Sequence, residues 1–322
     1  MIDRPRSGLP ESQPLPKSDA GRAPAKVAVA VLHYGDRSLA TACLRSTASI
    51  EPAPSHRLVI GNDPRNAAPT AADLPSVEFE TIETGASLGF AGGSNFAARA
   101  AAERGAEFLW LLNNDTEVNA DALAILLEAA RDPEVAMVGP RILSMASGHI
   151  WHDGGQIAWP EGRPVSIGVE EIPGAPGAPV AVDFVCGCAP LIRLAPFLAH
   201  GGFDERFFAY YEDADLSLRL IAAGHRLLHV PAAVVRHLGS ASTGRRSPLT
   251  RYYALRNRRL FRDLHAPEAR LAKRHSAREA RTMRARALRY RLSGRKEEAR
   301  AIRAALADHA AGRFGARPRD DR

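Results

Sequence analysis

"AEFLWLLNNDTEV", residues 106–118, sets an apolar run of strand length directly against two amides and two carboxylates, Asn113, Asn114, Asp115 and Glu117. Such a run, bounded by turn formers, reads as a strand buried on both faces. The plain account of the polar residues after it is a turn and a helix N-cap, since Asn, Asp and Thr all satisfy free backbone N–H groups. A plain turn, however, needs only one Asn or Asp, and the flanking sequence repeats the pattern.

Upstream, "KVAVAVLHYG" (26–35) and "HRLVIGND" (56–63) have the same form of strand followed by polar turn, and "VEFETIET" (77–84) reads as a further strand. "DRSLATACLRSTAS" (36–49) and "GGSNFAARAAAERG" (92–105) read as helices, the second closed by Gly105. Strands alternating with helices predict βαβ units and a mostly parallel sheet flanked by helices. Ligands of such α/β sheets bind beyond the carboxyl ends of the strands, where His33, Tyr34, Asn62, Asp63 and the Asn113–Asp115 cluster lie. Downstream, residues 140–182 are rich in Gly and Pro and predict a β-hairpin or excursion rather than a second domain. "VDFVCGCAPLIR" (182–193) reads as a strand, and residues 201–237 as a loop, a helix and two short strands. From about Ser276 the chain reads as Arg- and Ala-rich helix, with Met283, Ala287 and Leu288 on one face, then Ile302, Leu306 and Ala310 after a break at Gly294.

With 322 residues, 45% of them apolar, the chain can bury the core of one large domain, or of a domain plus an extension. "FLWLL" (108–112) falls far short of the ~20 apolar residues of a membrane-spanning helix. Residues 1–25 are rich in Pro, Ser and charge and lack the apolar centre of a secretory signal, which predicts a disordered leader and a cytoplasmic protein. Three cysteines, Cys43, Cys186 and Cys188, suit neither a disulfide framework nor structural zinc, and read as small buried residues. The net charge of +7 is uneven: residues 251–322 hold 22 Lys+Arg against 8 Asp+Glu, leaving 21 against 28 for residues 1–250. A basic tail of this kind can bind nucleic acid or an anionic membrane, or be a solvated helical face. An aromatic content of 6%, with no stacking or groove-reading motif, argues against nucleic acid.

Three stretches carry candidate chemistry. "YYEDADLSLRLIAAGH" (210–225) places Glu212, Asp213 and Asp215 at the start of a helix whose inward face carries Leu216 and Leu220 and whose stop is Gly224. The helix dipole alone would favour acids there, but Asp213 shares the inward face of Leu216, where an ionised carboxylate can act as general base. Asp115 and His237 both stand at predicted strand ends, and a carboxylate with an imidazole can hold Mg²⁺ or Mn²⁺ while leaving most coordination positions to phosphate oxygens and water. "SLGFAGGSNFAARAA" (87–101) puts Gly89, Gly92 and Gly93 before a helix. They are read either as a Gly-rich turn or as close backbone approach to a nucleotide or sugar, with neither P-loop nor dinucleotide spacing.

In order and spacing, "VAVAVLHYGDRSLATACLRS", "VIGND", "SLGFAGGSNFAA", "FLWLLNNDTEV", "VDFVCGCAPLIR", "GGFDERFFAYYEDADLSLRL" and "VVRHLGSAS" resemble the successive blocks of family 2 glycosyltransferases with the GT-A fold. The likeness is to the bacterial rhamnosyltransferase and galactofuranosyltransferase-like branch, over roughly residues 26–262, with residues 263–322 left as a basic helical extension. The resemblance implies an inverting, metal-dependent transfer of a sugar from a nucleotide-diphosphate donor to a hydroxyl of a glycan or lipid-linked acceptor. It puts "NND" (113–115) in place of the Asp-x-Asp motif, with Asp115 on the metal, Asp213 as base, Glu212 at the acceptor hydroxyls and His237 completing the metal site. It implies donor contacts at His33, Tyr34, Asn62, Asp63, Gly89, Gly92, Asn113 and Asn114, and dTDP-rhamnose ahead of UDP-linked donors such as UDP-galactofuranose. Where the family often has a pyrimidine-reading Asp, this chain has Gly61, so Asn62 or Asp63 is expected to take over. "WHDGG" (151–155) is read as a sugar-pocket lining or a structural loop. The basic extension is read as a hold on the inner face of the cell membrane or as a homodimer element. A catalytically silent sugar-nucleotide-binding module is the other reading.

Overall fold

The computed structural model describes residues 25–239 and 247–317. The leader predicted over 1–25 lies outside them, apart from Ala25, as do the last three residues of the 234–242 block. The N-terminal half runs β1 (Val27–His33), α1 (Arg37–Ser46), β2 (His56–Gly61), β3 (Glu80–Glu83), α2 (Gly89–Glu103), β4 (Phe108–Asn113), β5 (Thr116–Val118) and α3 (Ala122–Ala129). The middle contributes β6 (Val135–Ser144), β7 (Ile150–His152), β8 (Gly155–Ala158), β9 (Arg163–Ser166), β10 (Val180–Ala181), β11 (Leu191–Arg193), α4 (Leu194–Ala199), α5 (Glu212–Ala222) and β12 (Arg226–His237). Three helices complete it, α6 (Pro248–His265), α7 (Ala269–Leu292) and α8 (Lys296–Ala310).

The sheet order is β10-β12-β6-β11-β4-β1-β2-β3. β1, β2, β3 and β4 pair in parallel, as do β6 and β12, while β11 lies antiparallel between β4 and β6. Because β11 reverses against both neighbours, β4 and β6 point the same way. The carboxyl ends of β1, β2, β4 and β12 therefore share one edge of the sheet. Alternation along β1 divides the core: Val27, Val29 and Val31 pack with α1 and α3, and Ala28, Ala30 and Leu32 with α2, α4 and α5. The predicted α/β fold with a mixed, mostly parallel sheet is the one observed.

Local expectations are corrected in four places. Of residues 182–193 only Leu191–Arg193 is strand, because 182–190 spends its backbone groups elsewhere: the Asn113 N–H donates to the Cys188 carbonyl, and the Val185 N–H to Ser217. The two short strands expected before His237 are one strand of 12 residues. Its register slips between Val230 and Val234, where Pro231 offers no N–H to the ladder. The helix predicted from Gly92 starts at Gly89, so Gly92 and Gly93 lie inside it. The Arg- and Ala-rich helix starts at Ala269, with the break at Gly294 as read; Ala287, Ile302 and Leu306 are buried, whereas Leu288 and Ala310 face solvent. The hairpin predicted in the middle segment is β8-β9.

The C-terminal helices are packed, not appended. Tyr252, Tyr253, Leu255, Ala287, Ile302 and Leu306 make their own core, against which Phe208 and Tyr210 pack. Leu260 and Phe261 join a second cluster with Ile157, Phe184 and Phe207. The boundary expected between 262 and 263 falls inside α6, at buried Arg262, which donates to the Glu161 carbonyl and pairs with Glu279 of α7.

Glycine lets α2 lie close on the sheet. A Cβ at Gly93 would stand 2.7 Å from Leu32 Cδ1 and 2.8 Å from Asn62 Nδ2. Gly93→Val is expected to destabilise the protein by about 1–3 kcal/mol through overpacking, read as an earlier urea unfolding midpoint. An unchanged midpoint would show that the helix has room to shift.

Candidate active site

At the shared strand edge, β4 ends in Asn113 and turns through Asn114 and Asp115 into β5, which pairs antiparallel with the end of β12 so that Thr116 faces His237. That pairing brings Asp115 Oδ1 to 3.1 Å from His237 Nε2, both side chains nearly enclosed. His237 Nδ1 is buried without a partner, and the ring packs edge-on against Trp151 at 4.6 Å. Asn114 Nδ2 donates to the Tyr34 carbonyl, tying the ends of β4 and β1.

Across the Cys186–Cys188 turn lies the acidic pair. The Gly187 N–H donates to Asp213 Oδ2 at 3.0 Å, and the Ala214 N–H to Oδ1 at 2.8 Å. Since the next residue, Cys188, accepts from Asn113 N–H, one short turn joins Asp213 to the "NND" corner. Burial raises the Asp213 pKa, opposed by those two backbone N–H groups. Glu212 is raised well above the ordinary value by burial and then by the Asp213 charge, and its Oε2 is buried without a partner. Of the two, Asp213 is the carboxylate provided with donors for its ionised form.

The loop that delivers this pair is strained. Phe208, Tyr210 and Tyr211 all have positive φ, at 64°, 71° and 79°, which costs non-glycine residues of order 1–3 kcal/mol each. Two buried side chains of α6 hold it. Asn257 Nδ2 donates to the carbonyls of Phe207, Ala209 and Tyr210 at 2.7–2.8 Å, and Arg256 Nη2 to those of Arg206 and Phe207. Neither residue is marked by the sequence, because an Asn and an Arg in "YYALRNRR" look like any polar helix face.

The expected donor residues separate into roles. Tyr34 and Asp63 line a cavity of about 470 Å³, together with Pro64, Arg65, Ser87 and Tyr253. Asp63 accepts from Arg65, Asn66 and the Gly35 N–H. Burial alone would raise its pKa, but the hydrogen bonds from Arg65 and Asn66 outweigh it and hold the carboxyl at about 2. Asn62 donates to the Gly89 carbonyl and accepts from the Leu88 N–H, and fully buried His33 donates through Nε2 to the Asn66 carbonyl. These two brace loops instead of facing the cavity. Gly89 and Gly92 make room for protein, since added Cβ atoms would meet Phe208 and Leu88. Asn113 is half-buried beside Asp115. A Cβ at Gly61 would collide with the Glu83 carboxylate, so an acid from β3 fills the space in front of this glycine, and sequence reading missed it. In "WHDGG", Asp153 is bound bidentately by Arg141 and accepts from His229, a structural network. Only Trp151 reaches His237. All three cysteines are free; Cys43, enclosed by apolar neighbours, is pushed up to about 12.

Both the strained loop and the Asp63 cluster can be tested in solution. Asn257→Ala strips donors from buried carbonyls and should cost about 1–3 kcal/mol, with amide exchange at residues 207–214 accelerating ahead of the rest of the chain. Asp63 has its pKa depressed from 3.8 to about 2, so its stabilisation is present above pH 4 and is lost as pH falls towards 2. Asp63→Asn should therefore flatten the fall in melting temperature across that window.

No family model matches the sequence. The chain is 47% identical over 64 residues to the N-acetylglucosaminyl-diphospho-decaprenol L-rhamnosyltransferase of Mycobacterium tuberculosis, covering 20% of this chain and 21% of the relative. To the pre-mycofactocin glycosyltransferase of the same organism it is 35% identical over 133 residues, 41% of this chain and 27% of the relative. To the rhamnosyltransferase WbbL of Escherichia coli it is 49% identical over 51 residues, 16% and 19% of the two chains. The match thus spans about a quarter or less of these relatives' lengths. Among solved structures, GalNAc-T7 with UDP, GalNAc and Mn²⁺ superimposes at TM-score 0.60 and 16% identity, over 76% of this chain and 49% of that one. S. aureus TarS superimposes at 0.52 and 12% identity, over 89% and 92%. Fold, motif order and named relatives together give the chain the GT-A fold and a likeness to family 2 glycosyltransferases.

Proposed function

We propose that the chain catalyses inverting, metal-dependent transfer of a sugar from a nucleotide-diphosphate donor to an acceptor hydroxyl. The observation that carries the reading is the convergence at one sheet edge of Asp115 with His237 on one side of the 186–188 turn and Asp213 on the other. The acceptor oxygen attacks the anomeric carbon as the bond to the diphosphate oxygen breaks. Its proton passes to Asp213, and the bonding electrons leave with the nucleoside diphosphate. In this reading Glu212, whose burial favours the protonated form, meets acceptor hydroxyls as a hydrogen-bond donor.

Asp115 and His237 fit a divalent cation such as Mg²⁺ or Mn²⁺, because their 3.1 Å separation is close to that of neighbouring ligands on an octahedral cation bound at about 2.1 Å. When bound, the cation would neutralise charge on the leaving diphosphate. Two protein ligands leave the other positions to phosphate oxygens and water; among the described residues no group of three or more His, Cys, Asp and Glu could hold a metal. Tyr34, Asp63 and Asn113 remain the donor-side residues of the reading, with Glu83 added as the carboxylate in front of Gly61. We favour dTDP-rhamnose as donor because two of the named relatives are rhamnosyltransferases, with UDP-linked sugars next.

The acceptor is proposed to be a glycan or lipid-linked glycan at the inner face of the membrane. No helix among the described residues is long and apolar enough to cross a bilayer, but α7 turns Arg270, Arg274, Arg278 and Arg281 to solvent beside exposed Leu288 and Leu292, a surface suited to anionic lipid. Residues 26–262 are proposed to carry the transfer chemistry, with residues 263–322 a helical extension built onto them.

Asp213→Asn should lower turnover about 10²- to 10⁴-fold while nucleotide binding survives, whereas Asp115→Ala should remove the metal-dependent part of nucleotide binding. The acid limb of the turnover profile should lie above pH 3.8, the ordinary value, because burial raises Asp213. Melting with dTDP-, UDP- and GDP-sugars with and without Mn²⁺ tests the donor; a shift without detectable transfer would favour the silent sugar-nucleotide-binding module, and no shift at millimolar ligand would count against both readings. The full chain should bind anionic vesicles and release them as salt rises, and failure to bind at low salt would remove the membrane role.

A further inference from the structure

After α8 the chain returns to the catalytic face. The Gly315 N–H donates to the Arg206 carbonyl at 2.7 Å, and the Gly315 carbonyl accepts from Arg256 Nη1 at 2.7 Å. The Arg317 N–H donates to the Tyr253 hydroxyl at 2.9 Å, and the Arg317 guanidinium stands 4.9 Å from the Tyr252 ring. Arg256 also packs against Phe314, at 5.8 Å. The same arginine that holds the loop before Glu212 therefore anchors the C-terminal segment.

This anchoring makes Ala316 and Arg317 a wall of the 470 Å³ cavity. The facing walls are Tyr34, Asp63 and Arg65 from the loops after β1 and β2, and Ser87 before α2. Phe208 and Tyr253, stacked at 5.1 Å, line it as well. The cavity thus opens at the carboxyl ends of parallel strands, the ligand-binding edge of such sheets, and its volume lies within the range of small-molecule sites. Aromatic side chains at Tyr34, Phe208 and Tyr253, together with Arg317 and with Arg65, which Asp63 already holds, suit a ligand that joins a planar base to phosphates.

We infer that the C-terminal segment 313–317 forms one wall of the nucleotide site, so that a nucleoside diphosphate binds between it and the β1 and β2 loops. The inference rests on the donor reading above and adds the C-terminal extension to the donor site itself.

Calorimetric titration with UDP and dTDP, in the presence of Mg²⁺, tests it on the full chain and two variants. A chain ending at Gly312 should bind at least tenfold more weakly. Ala316→Trp should lose binding by filling the cavity, and its melting temperature should stay that of the parent because Ala316 is exposed and added bulk there enters no packed core. Ala316→Trp also stands in if the truncated chain does not fold. If the full chain binds a nucleoside diphosphate and both folded variants bind it equally well, the wall assignment is wrong while the donor reading stands. If the full chain binds neither UDP nor dTDP, both are overturned.

Discussion

The structure hangs on the grip of Arg256 and Asn257 on the backbone of residues 206–210. These side chains are buried in α6, where an unpaired amide or guanidinium would be costly, and they find their partners in the backbone carbonyls of the strained loop. The exchange is mutual. The loop receives the hydrogen bonds that keep Phe208, Tyr210 and Tyr211 in the left-handed region, and α6 is fastened to the α/β fold. That fastening, with the Ala91 N–H on the Phe208 carbonyl and the stacking of Phe208 on Tyr253, holds three non-glycine residues at positive φ immediately before Glu212.

A second constraint acts from the sheet. β4 must end at Asn113 because Asn114 and Thr116 turn their bonding to Tyr34 and to the Asn113 carbonyl, and the turn is then caught by the antiparallel contact of β5 with β12. The 186–188 segment sits between this corner and α5, giving one backbone group to each. Asp213 and Asp115 are thereby set by main-chain geometry, which tolerates far less movement than two surface side chains would. Burial raises the pKa of both Glu212 and Asp213, and the N–H groups of Gly187 and Ala214 on Asp213 distinguish it from Glu212. Two adjacent acids in one helix turn thus acquire different protonation preferences, the condition for one to accept a proton while the other donates a hydrogen bond.

The C-terminal helices, basic by composition, are integrated by chemistry that composition hides. Glu279 gathers Arg258, Arg259 and Arg262 between α6 and α7, so part of the positive charge is internally neutralised. The charge left exposed is concentrated on α7. The extension therefore has two faces, one built against the 206–211 loop and the cavity wall, the other turned to solvent as a cationic surface.

Periodicity and turn chemistry alone determined the α/β class, a strand within each of 26–35, 56–63 and 106–115, the helix stop at Gly224 and the break at Gly294, because each is fixed by local backbone preference and by which residues must be buried. Motif order gave the candidate residues Asp115, Glu212, Asp213 and His237. What the chain could not disclose locally is contact across distance. That His237 meets Asp115 depends on β5 pairing with β12 over more than 100 residues, and that His33 and Asn62 brace loops depends on where those loops pack. Gly61 looks like a lost carboxylate until Glu83 from the next strand is seen in front of it. The role of Arg256 and Asn257 is invisible in a polar helix pattern. Hydrogen bonds to backbone carbonyls carry no sequence signature in the partner, so only the tertiary structure could decide which loop they hold.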